Sequence, residues 1–211
     1  MAFTTPCCKN ALERLTRILC ALVLAVCAAA ALAGSIEPKR GVLSTAEDGS
    51  TVLSAEFAID LGPRLEEAVA RGVPLYFSLE FELTRPRWWW SNESILAKTA
   101  QYRLSYTALT RQYRLTTGNL HRNFTTLDEA LRVLSRFIDM PVADKGALKT
   151  GESYDAGLRL SLDRNQLPKP LQVDAIANRD WQVETRVLRW QYVPAPYVPP
   201  APAAMPAETR P

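Results

Sequence analysis

Val73-Pro74-Leu75-Tyr76-Phe77-Ser78-Leu79-Glu80-Phe81-Glu82-Leu83-Thr84 decides the fold. The odd positions are all apolar and the even ones include Ser78, Glu80, Glu82 and Thr84, the period of two of a strand with one buried face. Ala100, Tyr102, Leu104, Tyr106 and Ala108 alternate in the same way, and Tyr113 and Leu115 follow after Leu109 and Thr110, so residues 99–117 read as a hairpin. Tyr154 to Leu162 is another clear strand, and Leu53, Ala55, Phe57 and Ile59 make a weaker one. Near the C-terminal end Trp181, Val183 and Val187 keep one phase while Leu188, Trp190 and Tyr192 take the other, which predicts a bulge near Val187.

Two segments carry a helical period instead. Pro63 suits a first helical position, Leu61, Leu65, Ala68 and Val69 share a face, and Gly72 can end the helix in a left-handed conformation. Thr126 and Glu129 have capping-box spacing before Leu127, Ala130, Leu131, Leu134 and Ile138, with Pro141 shortly after. One-faced alternation favours antiparallel pairing. The expected class is therefore mainly β (α+β), an antiparallel sheet or β-sandwich with two packed amphipathic helices.

The ends of the 211-residue chain read differently. Lys9, Arg14 and Arg17 precede the apolar run Ile18 to Ala30, and Ala31-Leu32-Ala33 is a small-x-small cleavage pattern, so residues 1–33 are expected to be a signal peptide. An uncleaved anchor in the inner membrane would use residues 18–33, shorter than the roughly 20 residues of a spanning helix. Val26 before Cys27 and Leu19 before Cys20 do not suit lipidation. Cleavage removes Cys7, Cys8, Cys20 and Cys27, hence all disulfide and thiol chemistry, and lowers the net charge from +3 to +1. No nucleic-acid partner is expected of so neutral a chain. Residues 34–50 are weakly patterned and expected to be flexible, 51–193 form a single domain, and 194–211, with seven prolines, form a disordered tail. Leu167-Pro168-Lys169-Pro170 is expected to be an extended, rigid corner.

The runs Gly72-Val73-Pro74-Leu75, Arg85-Pro86-Arg87-Trp88, Tyr102-Arg103-Leu104-Ser105-Tyr106, Gln112-Tyr113-Arg114-Leu115, Leu167-Pro168-Lys169-Pro170-Leu171 and Asp180-Trp181 give the chain a family likeness. Over about residues 50–192 it resembles a family of exported bacterial proteins known as domain of unknown function 4390. The resemblance implies export and a single domain, and it supplies no activity, cofactor or catalytic residue. It also hints at a neighbouring two-component sensor kinase. In that family an acidic residue often follows the aromatic run directly, whereas here Ser91 and Asn92 precede Glu93.

Chemistry could sit in three places. Trp88, Trp89 and Trp90, flanked by Arg85 and Arg87, cannot all enter one core from a strand, because neighbours point to opposite faces. They read either as a rim that binds a peptide, glycan or membrane interface, or as two rings packed under a loop with one capping the core. Glu80 and Glu82 share a strand face about 7 Å apart, a separation also found between glycosidase carboxylates. Cross-strand ion pairs with Arg103, Arg114 and Arg159 are the plainer reading. His121 is the one histidine. With no cysteine beside it in the exported chain and no Gly-x-Ser-x-Gly elbow, it reads as a structural residue, and no metal or cofactor is expected. The favoured function is a non-catalytic, periplasmic binding or accessory protein of the envelope, with an envelope protein or the outer domain of a sensor kinase as partner. The alternative is an envelope hydrolase acting on glycan or peptide through Glu80, Glu82 or His121.

Overall fold

The computed structural model describes residues 34–87, 93–169, 171–172, 181 and 183–196. Ten strands in chain order, β1 (Ser35–Thr45), β2 (Thr51–Asp60), β3 (Leu75–Arg85), β4 (Glu93–Thr107), β5 (Gln112–Thr117), β6 (Leu120–Phe124), β7 (Arg136–Ala143), β8 (Tyr154–Leu162), β9 (Glu184–Thr185) and β10 (Leu188–Tyr192), build two sheets. The first has the order β7-β2-β1-β9 and the second β10-β8-β3-β4-β5-β6. Among the described residues all pairs are antiparallel except the short β1–β9 contact. The mainly β fold with two helices is thus as the alternation requires.

β3 lies between β8 and β4 and supplies the core with Leu75, Phe77, Leu79, Phe81 and Leu83, all essentially inaccessible. Ile36, Leu53, Ala55 and Phe57 of the first sheet belong to the same cluster. Phe137 of β7 joins the two sheets, meeting Phe57 edge-on at 5.7 Å and Tyr102 of β4 at 5.4 Å. Helix α1 (Gly62–Ala70) buries Leu65, Ala68 and Val69 and lies against β4, and Gly72, at φ 89°, ends it in the left-handed region as expected. Helix α2 (Leu127–Leu134) packs on β5, β6 and β7, and its Thr126–Glu129 capping box is formed in both directions.

Four expectations need correction. Residues 34–50 are not a flexible leader: β1 is an interior strand held between β2 and β9. A bulge between Pro38 and Arg40 moves its buried positions from even, at Ile36, to odd, at Leu43, which erases the alternation. Ile138 does not extend the α2 stripe. The helix stops at Leu134 and Ile138 lies 77% exposed on β7, where left-handed Asp139 (φ 48°) and a register shift interrupt the strand period. Pro141 is tolerated there because β7 is an edge strand. The phase change near Val187 is no bulge within a strand, because β9 pairs in the first sheet and β10 in the second and the chain changes layers between them. Leu167 is extended before Pro168, but Leu171 N–H folds back to donate to the Pro168 carbonyl at 2.8 Å, so the corner turns rather than running straight.

The proline-rich stretch begins inside the domain. Pro194 is buried and its carbonyl accepts from Gly151 N–H at 3.3 Å, while Thr45 Oγ1 donates to the Ala195 carbonyl at 2.9 Å. The expected signal peptide, residues 1–33, and residues 197–211 of the expected tail lie outside the described residues.

Candidate binding site at the β3–β4 connection

β3 ends at Arg85 and β4 begins at Glu93, directly opposite in register. The strand pair therefore delivers both ends of the intervening connection to one point. Trp88, Trp89 and Trp90 lie outside the described residues; their flanks do not. The Arg85 guanidinium reaches Glu152 Oε2 at 2.9 Å and Glu93 Oε2 at 3.8 Å, and Arg87 pairs with the same Glu93 carboxylate. Below them Tyr154 is fully buried, its ring 5.7 Å from the Arg85 guanidinium carbon, in cation–π range. The Tyr154 hydroxyl donates to Glu152 Oε2 at 3.1 Å and accepts from Lys149 N–H at 3.1 Å.

This is a charge network with a floor. The Tyr154 hydroxyl, opposed by desolvation and helped by Glu152 and Glu93, raises the pKa of Arg85 above its ordinary value. Desolvation pushes the Glu152 carboxyl up, but the Tyr154 hydroxyl, Arg85 and Lys149 together hold it below the usual carboxylate value. Arg85 Nε is buried with no hydrogen-bond partner among the described residues. The cluster therefore depends on the two terminal nitrogens and on the ring face.

Glu80 and Glu82 project from β3 with the exposed set, as the alternation requires. Glu80 stands opposite Arg159 and Thr99, and Glu82 opposite Gly157 and Ala97. The expected ion pairs do not form: among the described residues neither glutamate is salt-bridged, Arg103 stacks on Tyr76 at 5.8 Å, and Arg114 bonds to Asn123. A groove of about 560 Å³ runs beside Glu82, Thr84, Asp155, Gly157 and Arg189, floored where Gly157 has no side chain. His121 is elsewhere. It lies on edge strand β6 in the cross-strand row of Thr116, Arg103 and Tyr76, three strands and four residues from Glu80, hence roughly 20 Å away. The three groups of the hydrolase alternative do not converge. Among the described residues no cluster of His, Cys, Asp or Glu could hold a metal ion, and no helix is long and apolar enough to cross a membrane.

A family model described as a domain of unknown function (DUF4390) matches residues 35–191, from the first residue of β1 to within one residue of the end of β10. The chain belongs to that family. The DUF4390 domain thus coincides with the two-sheet body, β1 included. No curated protein and no solved structure matches the chain.

The partners of Arg85 in this DUF4390 domain were not legible in sequence. Glu152 lies in a turn and Tyr154 reads only as a core position, and nothing local links either to a residue some seventy positions earlier. The β8–β3 register, with Thr84 opposite Asp155, is what joins them.

Proposed function

We propose that this DUF4390 chain is an exported, non-catalytic binding protein of the bacterial envelope that engages the outer domain of a signalling protein through Trp88–Trp90. The supporting observation is the Arg85–Glu93–Glu152–Arg87 network, which fixes both ends of a connection bearing three consecutive tryptophans. Tryptophan and arginine dominate binding hot spots because they bring large contact area with directed donors. Anchored ends lower the ordering cost of binding, so affinity gains from the network even where its charges touch no partner. Export rests on residues 1–33. The separation of Glu80 and Glu82 from His121 favours binding over hydrolysis.

Affinity capture from cross-linked envelopes tests this, comparing the wild-type chain with a W88A/W90A variant. The expected result is one reproducible signalling partner that the variant loses while its thermal midpoint stays within about 2 °C, as for a surface substitution. Equal capture by both chains, or no reproducible partner, overturns the reading. A large fall in the midpoint would place the indoles in the core instead.

A further inference from the structure

At the other end of the second sheet, β4, β5 and β6 turn a second set of side chains outward. Arg103 pairs with Thr116 and Thr116 with His121, so the three stand in one cross-strand row. The next row is Ser105, Arg114 and Asn123. Thr116 therefore has Arg103 and His121 one strand spacing away on either side, about 4.8 Å, and Arg114 two residues along its own strand, about 6.6 Å. With Ser105 and Thr107 these groups line a concavity of about 370 Å³ to which, among the described residues, no carboxylate contributes.

The guanidinium groups are held in place. Arg103 stacks on the Tyr76 ring, and Arg114 Nε donates to Asn123 Oδ1 at 3.1 Å, which leaves the terminal nitrogens of Arg114 with no bond to a described residue. Arg71, Arg85, Arg87, Arg136 and Arg186 all meet a glutamate. Arg103 and Arg114 are diagonal neighbours that meet no carboxylate among the described residues; their guanidinium groups lean apart, towards Tyr76 on β3 and Asn123 on β6, and both line the concavity between them.

We propose that this concavity binds the phosphate group of an anionic ligand. The phosphoryl oxygens accept from the Arg103 and Arg114 forks, the His121 ring N–H and the hydroxyls of Thr116, Ser105 and Thr107, a set of donors suited to a tetrahedral oxyanion. The volume leaves room for more than the phosphate itself, so the ligand is a phosphate ester, borne either by a lipid headgroup or by a soluble molecule. The site lies nine residues along β3 from Arg85, about 30 Å, and does not depend on the aromatic connection.

The test is calorimetric titration of the full chain with inorganic phosphate at fixed ionic strength, alongside sedimentation with phosphatidylglycerol or phosphatidylcholine vesicles. Saturable phosphate binding is expected, about tenfold or more weaker in R114Q and in R103Q at an unchanged thermal midpoint. R103K, which keeps the charge but loses the fork, should fall between if R103Q does not fold. Phosphatidylglycerol binding that phosphate competes away and the variants lose identifies the lipid source. Phosphate binding without any vesicle difference between wild type and variants identifies a soluble ester. The proposal fails if phosphate does not bind, if chloride at equal ionic strength displaces it equally well, or if both substitutions leave its affinity unchanged.

Discussion

Arg85, which in sequence only flanks the tryptophan run, is a fixed point of the fold. Its terminal nitrogens face two carboxylates, its plane faces the ring of Tyr154, and its Nε is enclosed without a partner among the described residues. Removing the charge therefore also strands Glu152, whose remaining partners are Tyr154 and Lys149. The folded-state pKa of Glu152 is depressed, so its contribution to stability is complete above its ordinary value of 4.5 and is lost as the pH falls through the lower folded value. The thermal midpoint of the wild type should accordingly decline on acidification below about pH 4.5, more steeply than that of E152Q. R85M should lower the midpoint at neutral pH, and R85M/E152Q should be no less stable than R85M alone, because the two substitutions remove one interaction. Additive losses would show that the two residues act separately.

At the level of strands and helices, legibility followed local regularity. β3, β8, the β4–β5 hairpin, α1 and the start of α2 are regular, each with an uninterrupted period or a cap, and each was readable. β1 and β7 were not, because a bulge or a left-handed residue reverses the period within a few positions. β6 carries only Phe124 inward at half-burial, too little apolar signal to mark a strand. The candidate sites divide in the same way: Trp88–Trp90 stand out by residue type alone, whereas the Arg85–Glu152 and Arg103–Arg114–His121 groupings arise from register between distant strands. The two ends of α2 offer a direct check. T126A removes the hydroxyl that accepts from Glu129 N–H and should cost about 1 kcal/mol in urea unfolding. I138T should change stability by less than about 0.5 kcal/mol, because Ile138 is an exposed strand position. A loss of 2 kcal/mol or more at Ile138, as for a buried residue, would restore the longer helix.

The two sheets share one core, and they approach closely at Gly41 on β1. A Cβ there would lie 2.9 Å from Leu188 Cδ2 and 3.0 Å from Trp190 Cη2, both on β10 of the opposite sheet. The leucine methyl can swing aside, but the indole is rigid and lies in the paired strand β10, so a side chain at position 41 forces the Trp190 ring or its strand to shift. Overpacking of this kind costs about 1–3 kcal/mol. The layers are joined again through Phe137 and Tyr102, and β9 and β10 pass from one sheet to the other with only Arg186 and Val187 between them. A wedge at Gly41 should therefore destabilise both layers at once rather than release one. G41V is expected to lower the unfolding midpoint in urea in a single transition, with tryptophan fluorescence and far-ultraviolet circular dichroism coincident. Separate transitions by the two probes would mean that the sheets fold as independent units and that β1 is not the strand that couples them.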